Sequence, residues 1–379
     1  MDLTLSDEQR LLRESADRFV SETYTADHRR RVANDPLGFS ADIWKQFADL
    51  GWLALPIPEA HGGLGGGAIE IGILMEAFGR GLVAEPYLST VVIGASLIAK
   101  CGTEAQKQAL LPKITDGSLY LAFAHSERQA RFDLANVRTI AKKTSDGWRL
   151  DGQKTTVLDG NAAGHIIVSA RVNDSDGRLG LFLVAQGTRS LTLRDYLRLG
   201  GGRACNLELN GVQLPADALL GDGSDVLPAI EVAVDRAIAA LGAEAVGIMQ
   251  TLLDQTLEYT KIRKQFGRPL SANQVIRHRL ADMAMQCDEA RSMALRAALM
   301  ADAEPVARSR AASGAKAKIG KCARFVAEQS VQLHGAMGVT EELDVGSYFK
   351  RLLAFETLFG GSAHHYRRHA ALGGRAVQT

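Results

Sequence analysis

Apolar residues in the first third of the chain recur every three to four positions. Leu11, Leu12, Ala16, Phe19 and Val20 share one helical face behind Ser6 and Gln9, a capping-box pair. The spacing predicts a helical region over residues 1–117. Pro56-Ile57-Pro58 and the run Gly62-Gly63-Leu64-Gly65-Gly66-Gly67 interrupt it. Over residues 118–224 the period shortens. Arg138–Lys143, Trp148–Asp151, His165–Val172 and Leu179–Val184 predict short strands, with turns at Asp146-Gly147 and Asp176-Gly177. Such strands imply an antiparallel sheet or barrel-like domain. Residues 225–379 return to the helical period. Pro228–Gln265, Asn273–Ala303 and Pro305–His334 predict long helices, hence a bundle. Gly335, Gly338 and Gly346 loosen the chain before a last helix over Ala363–Ala371. The expected class is α+β, mainly α: a helical domain, an antiparallel β domain and a four-helix bundle.

Composition narrows the function. The 379 residues are 46% hydrophobic and 23% charged, values of a protein with a large core. A net charge of +1 gives no case for nucleic acid or an anionic membrane, and no apolar run is long enough to span a bilayer. Met1 to Arg10 lacks the basic-then-apolar order of a secretory signal. Cys101, Cys205, Cys287 and Cys322 are widely spaced, so four reduced thiols in a cytoplasmic protein are expected, with no metal site. The glycine run does not follow Gly-x-Gly-x-x-Gly, which disfavours a nicotinamide-type dinucleotide fold.

Several blocks, in order, carry a resemblance. They are Leu5-Ser6-Asp7-Glu8-Gln9; Trp44 through Gly51-Trp52, then Pro58-Glu59 and Gly62-Gly63-Leu64-Gly65; and Gly102-Thr103-Glu104-Ala105-Gln106-Lys107 before Leu110-Leu111-Pro112. Asp151-Gly152-Gln153-Lys154, Arg263-Lys264-Gln265-Phe266-Gly267 and Gln332-Leu333-His334-Gly335 follow. Together they resemble the acyl-CoA dehydrogenases across nearly the whole chain. The resemblance implies FAD as cofactor, held between the β domain and the bundle and completed by a neighbouring chain. It implies that Arg263, with Gln265 and Phe266, reaches the flavin of that neighbour, and that Gln332 and Gly335 approach the adenosine end. A planar guanidinium suits a diphosphate, and glycine lets backbone come close. Ser362 and His364 correspond to family positions near the pyrophosphate.

Three departures stand out. The loop that usually reads Thr-Glu-Pro-Gly-Ala-Gly-Ser-Asp is replaced by His125 to Asp133, where His125 or Ser126 would supply flavin contacts. The Trp-Ile-Thr beside the flavin ring becomes Thr156-Val157-Leu158, which implies a wider or repacked pocket. The family's Tyr-Glu-Gly-Thr becomes Phe359-Gly360-Gly361-Ser362, so the catalytic base is missing at Gly360. Gly360 still keeps the backbone N–H that, in the family, binds the thioester oxygen.

Some members place the base on a helix before an arginine, and Asp235-Arg236 resembles that pair. Asp235 is therefore the first candidate base, although its spacing to Gly247 is two residues too long and turns it about 200° on an ideal helix. Glu244, inside an apolar run, and Glu356 follow. Asp235 to Leu241, with Phe359-Gly360 and His364-His365, is similar to pimeloyl-CoA dehydrogenase small subunits and steroid-degradation subunits, several of which work as α2β2 pairs. The expected function is α,β-desaturation of a dicarboxylyl, steroid-derived or other bulky acyl-CoA, with electrons passed to an electron-transferring flavoprotein. A homotetramer, or an α2β2 heterotetramer with a second acyl-CoA dehydrogenase subunit, is expected. The alternatives are a non-catalytic subunit that completes FAD sites on a base-bearing partner, and an oxidase on the same fold.

Overall fold

A computed structural model describes residues 4–172, 177–340 and 342–374. The chain begins with α1 (Asp7–Thr23), whose capping box forms in both directions between Ser6 and Gln9. Helices α2 (Ala26–Ala33), α3 (Ala41–Asp49), α4 (Ala68–Gly81), α5 (Ser96–Cys101) and α6 (Glu104–Thr115) follow. Between α4 and α5 lies a π-helix, Tyr87–Ala95. Trp44, Phe47, Trp52 and Phe78 pack ring against ring in the core of this part, with Phe47 stacked on Phe78. Within the glycine run, Gly63 is a packing requirement. A Cβ at Gly63 would stand 1.9 Å from the Ile57 carbonyl oxygen, so the loop folds back tightly on itself.

Seven strands come next: β1 (Leu121–Ala124), β2 (Ile140–Thr144), β3 (Gly147–Leu158), β4 (His165–Val172), β5 (Leu179–Ala185), β6 (Leu191–Leu197) and β7 (Arg203–Pro215). They form one sheet in the order β1-β4-β2-β3-β7-β6, with β5 on β4. Most pairs are antiparallel, as expected, but β4 runs parallel to both β1 and β2. The segment Gln129 to Val137 lies between β1 and β2, which follow one another along the same edge of β4, β1 against residues 165–168 and β2 against 171–172, while β5 covers the other edge. β2 and β3 join through Ser145-Asp146. Asp176, of the second expected turn, lies outside the described residues.

One buried ion pair ties the loop after β1 to the sheet. The Lys154 ammonium, with 0% side-chain exposure, lies 2.7 Å from Glu127 Oε1 and donates also to Ser169 Oγ and the His125 carbonyl. Burial alone would push the Glu127 carboxyl up. The Lys154 charge and hydrogen bonds from Lys154, Thr139 and the Arg138 N–H hold it down to about 2.

The bundle consists of α7 (Leu227–Ile262), α8 (Gln274–Leu299), α9 (Pro305–His334), α10 (Val345–Thr357) and α11 (Ser362–Gly374). The hairpin β8 (Lys264–Gln265) and β9 (Arg268–Pro269) follows α7, which therefore ends three residues before the expected boundary because Arg263 turns extended. The three glycines give no sign of helix α10. Val345, Tyr348, Leu352 and Phe355 bury one face of it, and that packing overrides the poor propensity of Gly346.

Breaking the Lys154–Glu127 pair leaves a carboxylate buried without its ammonium. Lys154→Met is expected to lower stability by about 3 kcal/mol in urea unfolding. Arg149→Met, on the exposed pair with Asp151, is expected to stay within about 0.5 kcal/mol.

Candidate active site

A cavity of about 350 Å³ opens where the sheet meets the bundle. Its walls are the loop after β1, the end of β3, the π-helix, α7 and the start of α11. His125, Ser126, Thr156, Leu158 and His364 line it. On α7 the lining residues are Leu227, Glu231, Val234 and Ile238, one helical face. Ser89 and Ile93 of the π-helix close one end. Phe132 reaches across the cavity mouth to His364, with ring centres 5.2 Å apart.

Asp235 does not reach this cavity. It points to α9 and α11, is 2% exposed, and both its oxygens are occupied. Oδ2 accepts from Arg308 Nε at 3.0 Å and Ser309 Oγ at 2.7 Å, and Oδ1 accepts from Arg368 Nη1 at 3.0 Å. The two extra residues before Gly247 turn it off the Glu231–Val234–Ile238 face, so the expected base is a structural carboxylate. Glu244 is likewise held by Arg351, at 2.8 and 2.5 Å. Glu356 accepts from the Ser362 N–H at 2.7 Å and from Ser362 Oγ at 3.0 Å, capping α11. Ser362 thus serves the helix end and lies off the cavity lining.

Gly360 is buried beside the cavity at φ +109. A Cβ there would stand 2.8 Å from His364 Cδ2 and 2.9 Å from His365 Nε2, so a side chain would have to displace both imidazoles and hold a strained backbone. The Lys316 ammonium donates to the carbonyls of Gly360 at 2.9 Å and Phe355 at 2.7 Å. Burial lowers Lys316 to about 8. Burial, with Lys154 nearby, lowers His125 to about 3, so its imidazole is neutral. Burial also holds His365 at about 3.

The remaining expected cofactor residues gather elsewhere. Arg263, Gln265, Gln332 and Gly335 line a surface cleft of about 460 Å³ where α7 and α9 end. Phe266 stands 100% exposed beside it. The Arg263 guanidinium has no carboxylate partner among the described residues, and Arg279 faces the same cleft. A Cβ at Gly335 would meet nothing within 4 Å, so the backbone there is open to a ligand. An uncompensated guanidinium beside open backbone fits the diphosphate of FAD. Cavity and cleft are separate sites on one chain.

Glu231, Arg368, Lys316 and His365 have no role assigned from the sequence. The i, i+4, i+7, i+11 spacing of Leu227, Glu231, Val234 and Ile238 is the signal that finds the first. No local pattern announces the other three.

Comparisons with known proteins agree with this architecture. The models for the N-terminal, middle and C-terminal domains of acyl-CoA dehydrogenase match residues 6–118, 122–212 and 228–371. The probable acyl-CoA dehydrogenase YngJ of Bacillus subtilis is 33% identical over 354 residues, 91% of this chain and 92% of that protein. A solved steroid ACAD, a variant of Tcur3481-Tcur3483, is 31% identical with a TM-score of 0.89, covering 99% of this chain and 100% of the other. The ChsE4-ChsE5 complex from Mycobacterium tuberculosis is 28% identical with a TM-score of 0.88, covering 100% of each chain. Among the described residues no helix is long and apolar enough to cross a membrane. The chain belongs to the acyl-CoA dehydrogenase family, flavin-dependent oxidoreductases whose cofactor is FAD.

Proposed function

We propose that this chain is one subunit of a heteromeric acyl-CoA dehydrogenase that desaturates a CoA thioester between its α- and β-carbons. The carrying observation is the absence of a base at the reacting loop. Gly360 has no side chain, a Cβ there would collide with two imidazoles, and Asp235 is locked between two guanidinium groups. The base then belongs to a second acyl-CoA dehydrogenase subunit, as in an α2β2 tetramer. When bound, FAD supplies the hydride acceptor for the β-carbon. This chain contributes Arg263, Gln332 and Gly335 to the diphosphate and adenosine end of the partner's cofactor, with Gln265 beside them and exposed Phe266 packing against the neighbour. His125, Ser126, Thr156, Leu158, Ser362 and His364 surround or flank the chain's own cavity. Electrons leave to an electron-transferring flavoprotein. The tryptophan-free wall at Thr156-Val157-Leu158 and the likeness to a steroid ACAD support a dicarboxylyl, steroid-derived or other bulky acyl group. A cytoplasmic location accompanies this reading.

A self-sufficient dehydrogenase is the second reading, and Glu231 favours it as the carboxylate of α7 that faces the cavity. The visible spectrum of the purified chain, supplied with FAD and a panel of acyl-CoAs, separates the two. The heteromeric reading predicts that no thioester bleaches the flavin. Bleaching by the chain alone, abolished in Glu231→Gln, would overturn it and make Glu231 the base. Gly360→Glu is expected to give no flavin reduction and to lose stability by about 2 kcal/mol or more in thermal unfolding, since the new Cβ collides with His364 and His365.

Arg263→Gln removes a charge without breaking an internal ion pair. In the assembled holoenzyme FAD affinity is expected to fall about tenfold or more, read by flavin retention, because a charged hydrogen bond is lost. The melting temperature of the apo-chain should be unchanged.

A further inference from the structure

Four charged side chains line the cavity: Arg131, Asp133, Glu231 and Arg368. Two of them are already committed. Arg368 is held by Asp235 Oδ1 at 3.0 Å and by Ser313 Oγ and Ser309 Oγ at 3.1 Å each. Ser313 Oγ lies in turn 3.3 Å from His365 Nδ1. Asp133 accepts from the Ala135 N–H at 3.0 Å. Arg131 and Glu231 have no hydrogen-bond or ion-pair partner among the described residues, and they do not pair with each other.

The local backbone aims Arg131. The Asp133 N–H donates to the Ala130 carbonyl at 3.0 Å and closes a four-residue turn with Arg131 and Phe132 at its tip. Arg131 stands there at φ +52, a left-handed position that favours glycine and strains any side chain. The turn is fastened on three sides. Glu127, just before it, is held by Lys154 at 2.7 Å and Thr139 Oγ1 at 2.6 Å. Just after it, Arg171 donates to the Ala135 carbonyl at 2.9 Å and the Val137 carbonyl at 3.2 Å. Phe132 docks on His364. Fixed flanks thus present a strained tip, with its guanidinium at the exposed rim of the cavity.

The cavity also has a direction. Ile93, Leu158, Val234 and Ile238 are buried and give it an apolar end. Arg131, Phe132 and Asp133 are exposed and form its rim. A ligand with one apolar and one anionic end is therefore seated apolar end inward. Glu231 repels an anion from the α7 wall, which leaves the loop side for the charge. A planar guanidinium without a carboxylate matches a diphosphate.

We propose that Arg131 binds the diphosphate of an acyl-CoA seated in this chain's own cavity, and so directs the acyl group toward Ile93, Val234 and Ile238. Only the ligand class, a CoA thioester, comes from the proposed function, and no base on this chain is needed. FAD carries the same diphosphate chemistry, so flavin retention is measured beside thioester affinity.

The full-length chain, supplied with FAD, is titrated by calorimetry with octanoyl-CoA, glutaryl-CoA and octanoyl-pantetheine, a thioester without phosphate. Arg131→Gln is expected to weaken octanoyl-CoA about tenfold, the loss of one charged hydrogen bond, and to leave octanoyl-pantetheine within about twofold. Arg131→Lys keeps the charge but not the fork, so a loss of about threefold is expected. Arg131→Gly removes the guanidinium and relieves the left-handed φ. Its melting temperature should not fall, and octanoyl-CoA should weaken as in Arg131→Gln. No binding of octanoyl-CoA, or equal affinity in the variants, would overturn the proposal. So would an equal loss with octanoyl-pantetheine, which makes Arg131 a prop of the turn. Loss of FAD with unchanged octanoyl-CoA affinity would give Arg131 to the flavin, and a loss confined to glutaryl-CoA would give it to a distal carboxylate; either refutes the assignment. Flavin bleaching is a separate signal, so failure of the heteromeric reading is distinguishable.

Discussion

The burial of the Asp235 carboxylate between α7, α9 and α11 is the constraint on which the bundle side of the cavity depends. A buried charge must be paired and hydrogen-bonded or it costs several kcal/mol. Arg308, Ser309 and Arg368 supply the partners, and the result joins three helices at one point. Because Arg368 and His365 share α11, the same point sets where the 359–361 loop can run. The carboxylate that the sequence offers as a base is therefore unavailable as one: both its oxygens are held by donors and it lies off the cavity.

The opposite wall rests on a second buried pair, Lys154 with Glu127. It holds the loop that carries His125 and Ser126 against β3 and β4. The two walls meet through side chains, as in the Phe132–His364 contact. A cavity at such a seam is the usual place for a cofactor or ligand between domains. Charge is arranged to match. The imidazoles of His125 and His365 are kept neutral by burial beside cations, so they hydrogen-bond without adding charge to the site.

The division into a cavity and a distant cleft has a physical meaning. One chain cannot bring Arg263 and Gln332 to its own Gly360 loop, since they sit at the far ends of α7 and α9. On the proposed function, a dinucleotide that used both would lie between chains. This accounts for a cation left without an internal carboxylate and for a fully exposed Phe266.

Much of this was legible along the chain. The helical and strand periods yielded α9 at its observed limits, β4 at both ends, and the order helix, sheet, bundle. The glycine-for-glutamate change at 360 was visible because the surrounding block has a recognisable order. Asp235 also looked like half of a familiar pair, and the two-residue excess before Gly247 already hinted that it faced the wrong way. Strands β1, β6 and β7 and helix α10 escaped: β1 has only four residues, the apolar alternation of β6 ends at Arg194-Asp195, and Gly211 and Gly346 interrupt β7 and α10. What the sequence by itself determined was local: periodicity, caps and motif order, which depend on neighbours within one or two turns. Only the tertiary structure decided which carboxylate faces the cavity and which is tied to arginines, and that His365, Ser313 and Arg368 form one chain. Those choices depend on contacts between residues 52 to 133 positions apart, where sequence spacing carries no geometric information.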